Sequence, residues 1–149
     1  MAPALAAHLG SALESGGGAM TVDLWMLVAS ALLSHSWIMV YGAGRSQTPG
    51  GLEWGFGNRD APLEVPAWTA RAVRAHLNLL ENLTPFAILV LTAHVAGKAN
   101  AMTALGATIF FVARVAHAIV YTAGIKVVRS VVFGVGLAGE VLILVQLFR

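Results

Sequence analysis

Three stretches put polar side chains into otherwise apolar sequence. The first is Arg71-Ala-Val-Arg74-Ala-His76-Leu77-Asn78-Leu-Leu-Glu81-Asn82, at the mouth of a run that stays apolar to Ala96. On a helix, Arg71, Arg74, Asn78 and Glu81 fall at i, i+3, i+7 and i+10 and make one polar stripe. The second is Arg114, His117 and Tyr121, at i, i+3 and i+7, again one face. The third is Arg129-Ser130, where a basic residue near the start of a helix opposes the macrodipole and so needs another reason to be there. A guanidinium, a hydroxyl and a helix N-terminus together hold an anion or a thiolate well.

Each stripe also has a plainer reading. Glu81 equally suits an ion pair that ties helices together, and Arg114 on a neighbouring helix is the expected partner, since a buried carboxylate without one is costly. Arg114 then acts as a structural counter-ion. Arg129 in isolation reads as an interfacial anchor reaching lipid phosphate. Glu140 lies mid-span and is assigned no chemistry; His35, His94, a neighbouring copy of the chain and protonation are the alternatives for satisfying it. No His pair with an acid at metal-ligand spacing and no phosphate loop occurs, so no metal is expected.

The elements that carry these residues follow from composition. The 149 residues are 58% hydrophobic and 11% charged, with mean hydropathy +0.77. A soluble domain carries charge at about a quarter of its positions, so the fold expected is all-α: four transmembrane helices in an up-down bundle. There are no cysteines, so any thiol chemistry must use a thiol brought by a ligand. A net charge of +2 is too small and scattered to suggest nucleic acid.

Residues 1–21 are expected to be a flexible extension, rich in Ala and Gly, without the basic start of a signal peptide; Met20 is an alternative start. Residues 22–149 are expected to form a single membrane domain. Its spans are predicted at Val22–Tyr41, about Ala67–Ala96, Ala101–Ala123 and about Arg129–Phe148. A polar loop, Gly42–Pro66, and two short links, Gly97–Asn100 and Gly124–Val128, join them. The first and third connections, with adjacent helix starts, hold Arg45, Arg59, Arg71, Arg74, Lys126 and Arg129, whereas the other side holds Lys98 and Arg149. The positive-inside rule then sets both termini outside and the polar stripes toward the cytoplasm.

Taken together, Arg74-Ala-His76-Leu-Asn78-Leu-Leu-Glu81-Asn82, Arg114-Val-Ala-His117-Ala-Ile-Val-Tyr121 and Arg129-Ser130 resemble the MAPEG superfamily, the membrane-associated proteins of eicosanoid and glutathione metabolism. Gly57-Asn-Arg-Asp60 is similar to the first loop of its bacterial members, and the resemblance runs from about Val22 to the C-terminus. It implies a homotrimer in a membrane, expected here to be a bacterial inner membrane, with glutathione between protomers near the cytoplasmic face. By position, Asn78, Glu81, His117 and Tyr121 would bind glutathione, Arg129 and Ser130 would activate its sulfur, and Arg74 and Arg114 would support Glu81. The implied activity is a glutathione-dependent transferase or peroxidase acting on lipophilic electrophiles or hydroperoxides. Its partners would be glutathione, a lipophilic small molecule and membrane lipids. Three positions depart from the pattern. Leu77 stands where several eukaryotic members have a basic residue, Phe133 where some have tyrosine, and the first span has no arginine at its inner end before Arg45.

Two other classes compete. A non-catalytic trimeric scaffold would keep the buried charges and lose nothing measurable on Arg129→Ala. A small proton-coupled multidrug exporter needs a carboxylate within its first span, where only Asp23 stands, at the outer edge.

Overall fold

The structure, a computed structural model, describes residues 20–149. The expectation for residues 1–19 lies outside them. Five helices follow in order: α1 (Val22–Ser46), α2 (Gly51–Phe56), α3 (Ala67–Val95), α4 (Ala101–Ala123) and α5 (Lys126–Leu147). Four of them, α1, α3, α4 and α5, are long and apolar enough to cross a membrane.

Two boundaries differ from the sequence expectation. Helix α1 continues five residues past Tyr41 to Ser46, and α2 interrupts the predicted loop. Nothing in Gly42-Ala-Gly-Arg-Ser stops a helix except weak glycine propensity, and the chain turns only where Gly50 takes a left-handed φ of 72°. Helix α5 starts at Lys126, three residues before the predicted Arg129. Gly124, left-handed at φ 84°, ends α4 so tightly that only Gly124 and Ile125 separate the two helices.

Helices α4 and α5 make the most extensive contact. Helix α3 packs on α1 and α4 and more lightly on α5, while α1 and α5 do not touch each other. Close approach of α4 and α5 depends on two glycines. A Cβ on Gly106 would lie 2.6 Å from the Gly139 carbonyl oxygen, and one on Gly139 would lie 2.6 Å from that of Gly106. Small residues at such crossings let backbones meet within a bilayer, where packing rather than water exclusion drives association. The buried core is formed by Phe86, Val90 and Ala93 of α3, Ala107 and Phe110 of α4, and Ile143 of α5, with Phe86 and Phe110 stacked at 3.9 Å. Leu32, Ile88 and Val112 instead face outward, as lipid-facing positions should.

A polar knot joins all four long helices at the end where α3 finishes and α4 begins. Asp23 of α1, 2% exposed, lies 3.1 Å from Nε2 of His94 in α3 and accepts a hydrogen bond from Thr103 Oγ1 of α4 at 3.0 Å. Asn100 caps α4 reciprocally with Thr103, and its amide donates to Gln146 of α5 at 3.3 Å. His94 is therefore a partner of Asp23 and not of Glu140. His35 also does not meet Glu140; it is exposed, and its Nδ1 lies 2.8 Å from the carbonyl of Ala31.

Candidate functional site

The candidate residues gather at the opposite end, where α4 turns into α5. Helical spacing stacks His117 and Tyr121 of α4, with ring centres 5.5 Å apart and edge to face. The two-residue link then brings the first turns of α5 back beside them. Arg129 lays its guanidinium over the Tyr121 ring at 4.5 Å, a cation–π contact that holds both side chains. Asn78 of α3 completes the group. Asn78, His117, Tyr121, Arg129, Ser130 and Phe133 line an open cleft of about 320 Å³.

A second, smaller cleft of about 200 Å³ shares Tyr121 and Arg129 with the first and adds Arg71, Arg74 and Lys126. The two form one continuous surface with four cationic side chains. No carboxylate lies within 4 Å of any of them among the described residues. Arg71 is held there by its Nε, which donates to the Thr122 carbonyl at the end of α4 at 2.8 Å.

Beneath the cleft lies Arg114, 1% exposed. Its Nη1 donates to Asn78 Oδ1 at 3.3 Å, and its guanidinium is sandwiched between the rings of Phe110 and Phe133 at 5.0 and 5.1 Å. Gly136 makes room for it, since a Cβ there would lie 2.6 Å from Nη2. Glu140, one turn further along α5, is the charge that acts on Arg114 across the bundle, although no direct ion pair forms. Because Arg114 takes the amide oxygen of Asn78, the two N–H donors of that amide are left for a ligand.

This arrangement corrects the expected pairing of Glu81 with Arg114. Glu81 is exposed on the outer face of α3, has no ion-pair partner among the described residues and lines neither cleft. Arg74 is also exposed and joins the basic rim, so within one protomer it does not support Glu81 from inside. The polar stripe therefore divides. Arg71, Arg74 and Asn78 turn toward the α4–α5 turn, and Glu81, one further turn up, points away. Pro85 sits four residues beyond Glu81 and supplies no N–H to its carbonyl, a local gap in the ladder of α3.

Three features escaped the sequence reading. Phe133 is noted there as a departure, but it both lines the cleft and covers Arg114. Gly136 serves as the seat of Arg114; its spacing of four from Glu140 was the available signal. His76, which the sequence gives no role beyond its place in the motif, is buried and lies 2.9 Å from Ser34 Oγ and 3.4 Å from the Tyr41 hydroxyl, so it joins α3 to α1 away from the cleft.

Four helices long and apolar enough to cross a membrane, with an open basic cleft at one end, define a multi-pass membrane protein. The family model of the MAPEG family matches residues 21–149, and the chain belongs to that family. The comparison with curated proteins gave no significant match.

Proposed function

We propose that this protein is a glutathione-dependent transferase or peroxidase of the membrane, acting on lipophilic electrophiles or hydroperoxides. The observation that carries the reading is the grouping of Arg129, Ser130, Tyr121, His117 and Asn78 around one open cleft, beside a rim of Arg71, Arg74 and Lys126. Glutathione is an anion with two carboxylates, and guanidinium groups recognise carboxylates through paired hydrogen bonds. The basic rim supplies that recognition, and the Asn78 amide donors add a neutral contact to the peptide backbone.

Catalysis then rests on the thiol. An ordinary thiol has a pKa of about 8.5, and only its thiolate is a good nucleophile. The Arg129 charge and the Ser130 hydroxyl, set one turn into α5, favour the thiolate over the thiol, and the released proton passes to solvent. In conjugation the sulfur forms a bond to an electrophilic carbon, and the leaving group departs with the electron pair. In peroxide reduction the sulfur takes the distal oxygen of the hydroperoxide and releases an alcohol. A second glutathione then yields the disulfide and water.

The protomer alone does not enclose this ligand. The cleft is open, α1 and α5 are apart, and Glu81 stands outward. A homotrimer, with glutathione between protomers and Glu81 of one copy turned to the next, would close it. The lipophilic partner enters from the bilayer past the apolar outer faces of α1 and α5. Both termini are assigned outside, with the cleft toward the cytoplasm of a bacterial inner membrane, because the basic residues cluster on the cleft side.

The test is a titration of detergent-purified protein with glutathione, followed by thiolate absorbance near 240 nm, with Arg129→Ala alongside. A saturable rise below the pH at which free glutathione ionises, lost in Arg129→Ala, is expected. No rise at millimolar glutathione from an intact assembly would overturn the glutathione reading and favour a non-catalytic scaffold.

A further inference from the structure

A separate pocket of about 570 Å³ lies between the last turns of α1 and the short helix α2. It shares no lining residue with the clefts at the α4–α5 turn. Its walls are mostly apolar, and Met39, Leu52 and Phe56 at its border are 69%, 60% and 92% exposed. Those side chains are open on the protomer surface. The pocket also holds two cations. Arg45 and Arg59 lie over the same Trp54 ring, at 5.1 and 5.2 Å, and Arg45 also lies 4.8 Å over Tyr41.

The pocket is braced. Trp54 Nε1 donates to the Ala61 carbonyl at 2.6 Å, the Tyr41 hydroxyl lies 3.4 Å from His76 Nδ1, and Arg59 Nη2 donates to the Gly55 carbonyl at 3.1 Å. Of the five N–H donors that each guanidinium carries, only those of Arg59 Nη2 find an acceptor among the described residues, so most remain free. No acidic residue lines the pocket, and no carboxylate lies within 4 Å of either arginine among the described residues.

We propose that this pocket is a binding site for one anionic phospholipid of the adjoining leaflet. Its phosphate would accept from the free N–H donors of Arg45 and Arg59, and its acyl chains would leave past Met39, Leu52 and Phe56. A water-soluble anion would gain nothing from the exposed apolar border, and a zwitterionic lipid brings its own cation toward the two arginines. On the proposed orientation this pocket lies on the cytoplasmic side, where basic pockets beside spanning helices bind anionic headgroups.

The experiment is native mass spectrometry of the whole protein from nanodiscs holding equal phosphatidylglycerol and phosphatidylcholine, with wild type compared to Arg45→Gln/Arg59→Gln. The wild type should keep one phosphatidylglycerol per protomer, about tenfold over phosphatidylcholine, and the double variant should keep both equally. Equal retention by the wild type, or a preference that survives in the double variant, would overturn the assignment. So would displacement of the lipid by glutathione, which would make the pocket part of the thiol site, or stronger retention of added oleate, which would make it a fatty-acid site. Quenching of wild-type protein by brominated phosphatidylglycerol provides a measurement independent of whether the double variant folds. It should exceed that by brominated phosphatidylcholine, and the excess should vanish in Trp54→Phe; an excess that remains would also overturn the proposal.

Discussion

Arg114 carries its charge inside the bundle on one protein hydrogen bond, and its Nε and Nη2 find no partner among the described residues. A buried cation in this position is held by several weak terms at once: two aromatic faces, the Asn78 amide oxygen and the field of Glu140. Removing the guanidinium costs its hydrogen bond to Asn78, about 1.5–3 kcal/mol for a bond to a charged group, together with its packing between the two rings. Arg114→Met should therefore lower the thermal midpoint in detergent sharply, and adding Glu140→Gln should recover part of the loss. Additive losses in the double variant would show that the two charges do not act on each other. Arg129 sits in the opposite situation, half-exposed and stacked on Tyr121. Arg129→Ala should leave the midpoint nearly unchanged while removing the thiolate signal, and a matching loss of stability would make it a structural residue.

At the scale of elements, hydropathy marked the spanning helices because a bilayer imposes length and apolarity on each one separately. Val22, Ala67, Ala101 and Ala123 bound helices where the sequence indicated. Helix α2 and the last turns of α1 were not legible, because six residues and a glycine-containing Gly42–Ser46 stretch carry no span-length apolar signal. The cleft was partly legible. Spacing along one helix brought His117 and Tyr121 together, but the direction in which Glu81 faces depends on how α3 packs on α1 and α4, which periodicity does not encode. The α4–α5 contact gives a direct test. Gly139→Val forces a side chain onto backbone and should cost about 1–3 kcal/mol as overpacking. Gly134→Val, five residues earlier with nothing within 4 Å of its Cβ position, should change the midpoint little. Equal effects at the two sites would mean that helix propensity, and not close approach, is what α5 requires.

For the whole molecule, the exposed Glu81 poses the sharpest question. It lies about 21 Å along α3 from Ala67, at 1.5 Å per residue, well into a helix that crosses the membrane. A carboxylate facing hydrocarbon at that depth is costly, so a second copy of the chain is expected to cover it. Native mass spectrometry in mild detergent should give a trimer, and Glu81→Gln should shift it toward smaller species without unfolding the protomer. A monomer that binds glutathione fully would remove the need for a shared site.

The knot of Asp23, His94, Thr103, Asn100 and Gln146 fastens every long helix at one end only. Toward the other end the helices are held by the Arg71 clasp, the cation–π stack of Arg129 and the His76 joint of α3 to α1. The bundle is thus pinned at both ends by different chemistry: a buried carboxylate network at one, and mostly part-exposed cationic contacts at the other. Salt screens the exposed set far more than the buried one, so raising ionic strength should loosen the cleft end before it disturbs the opposite end.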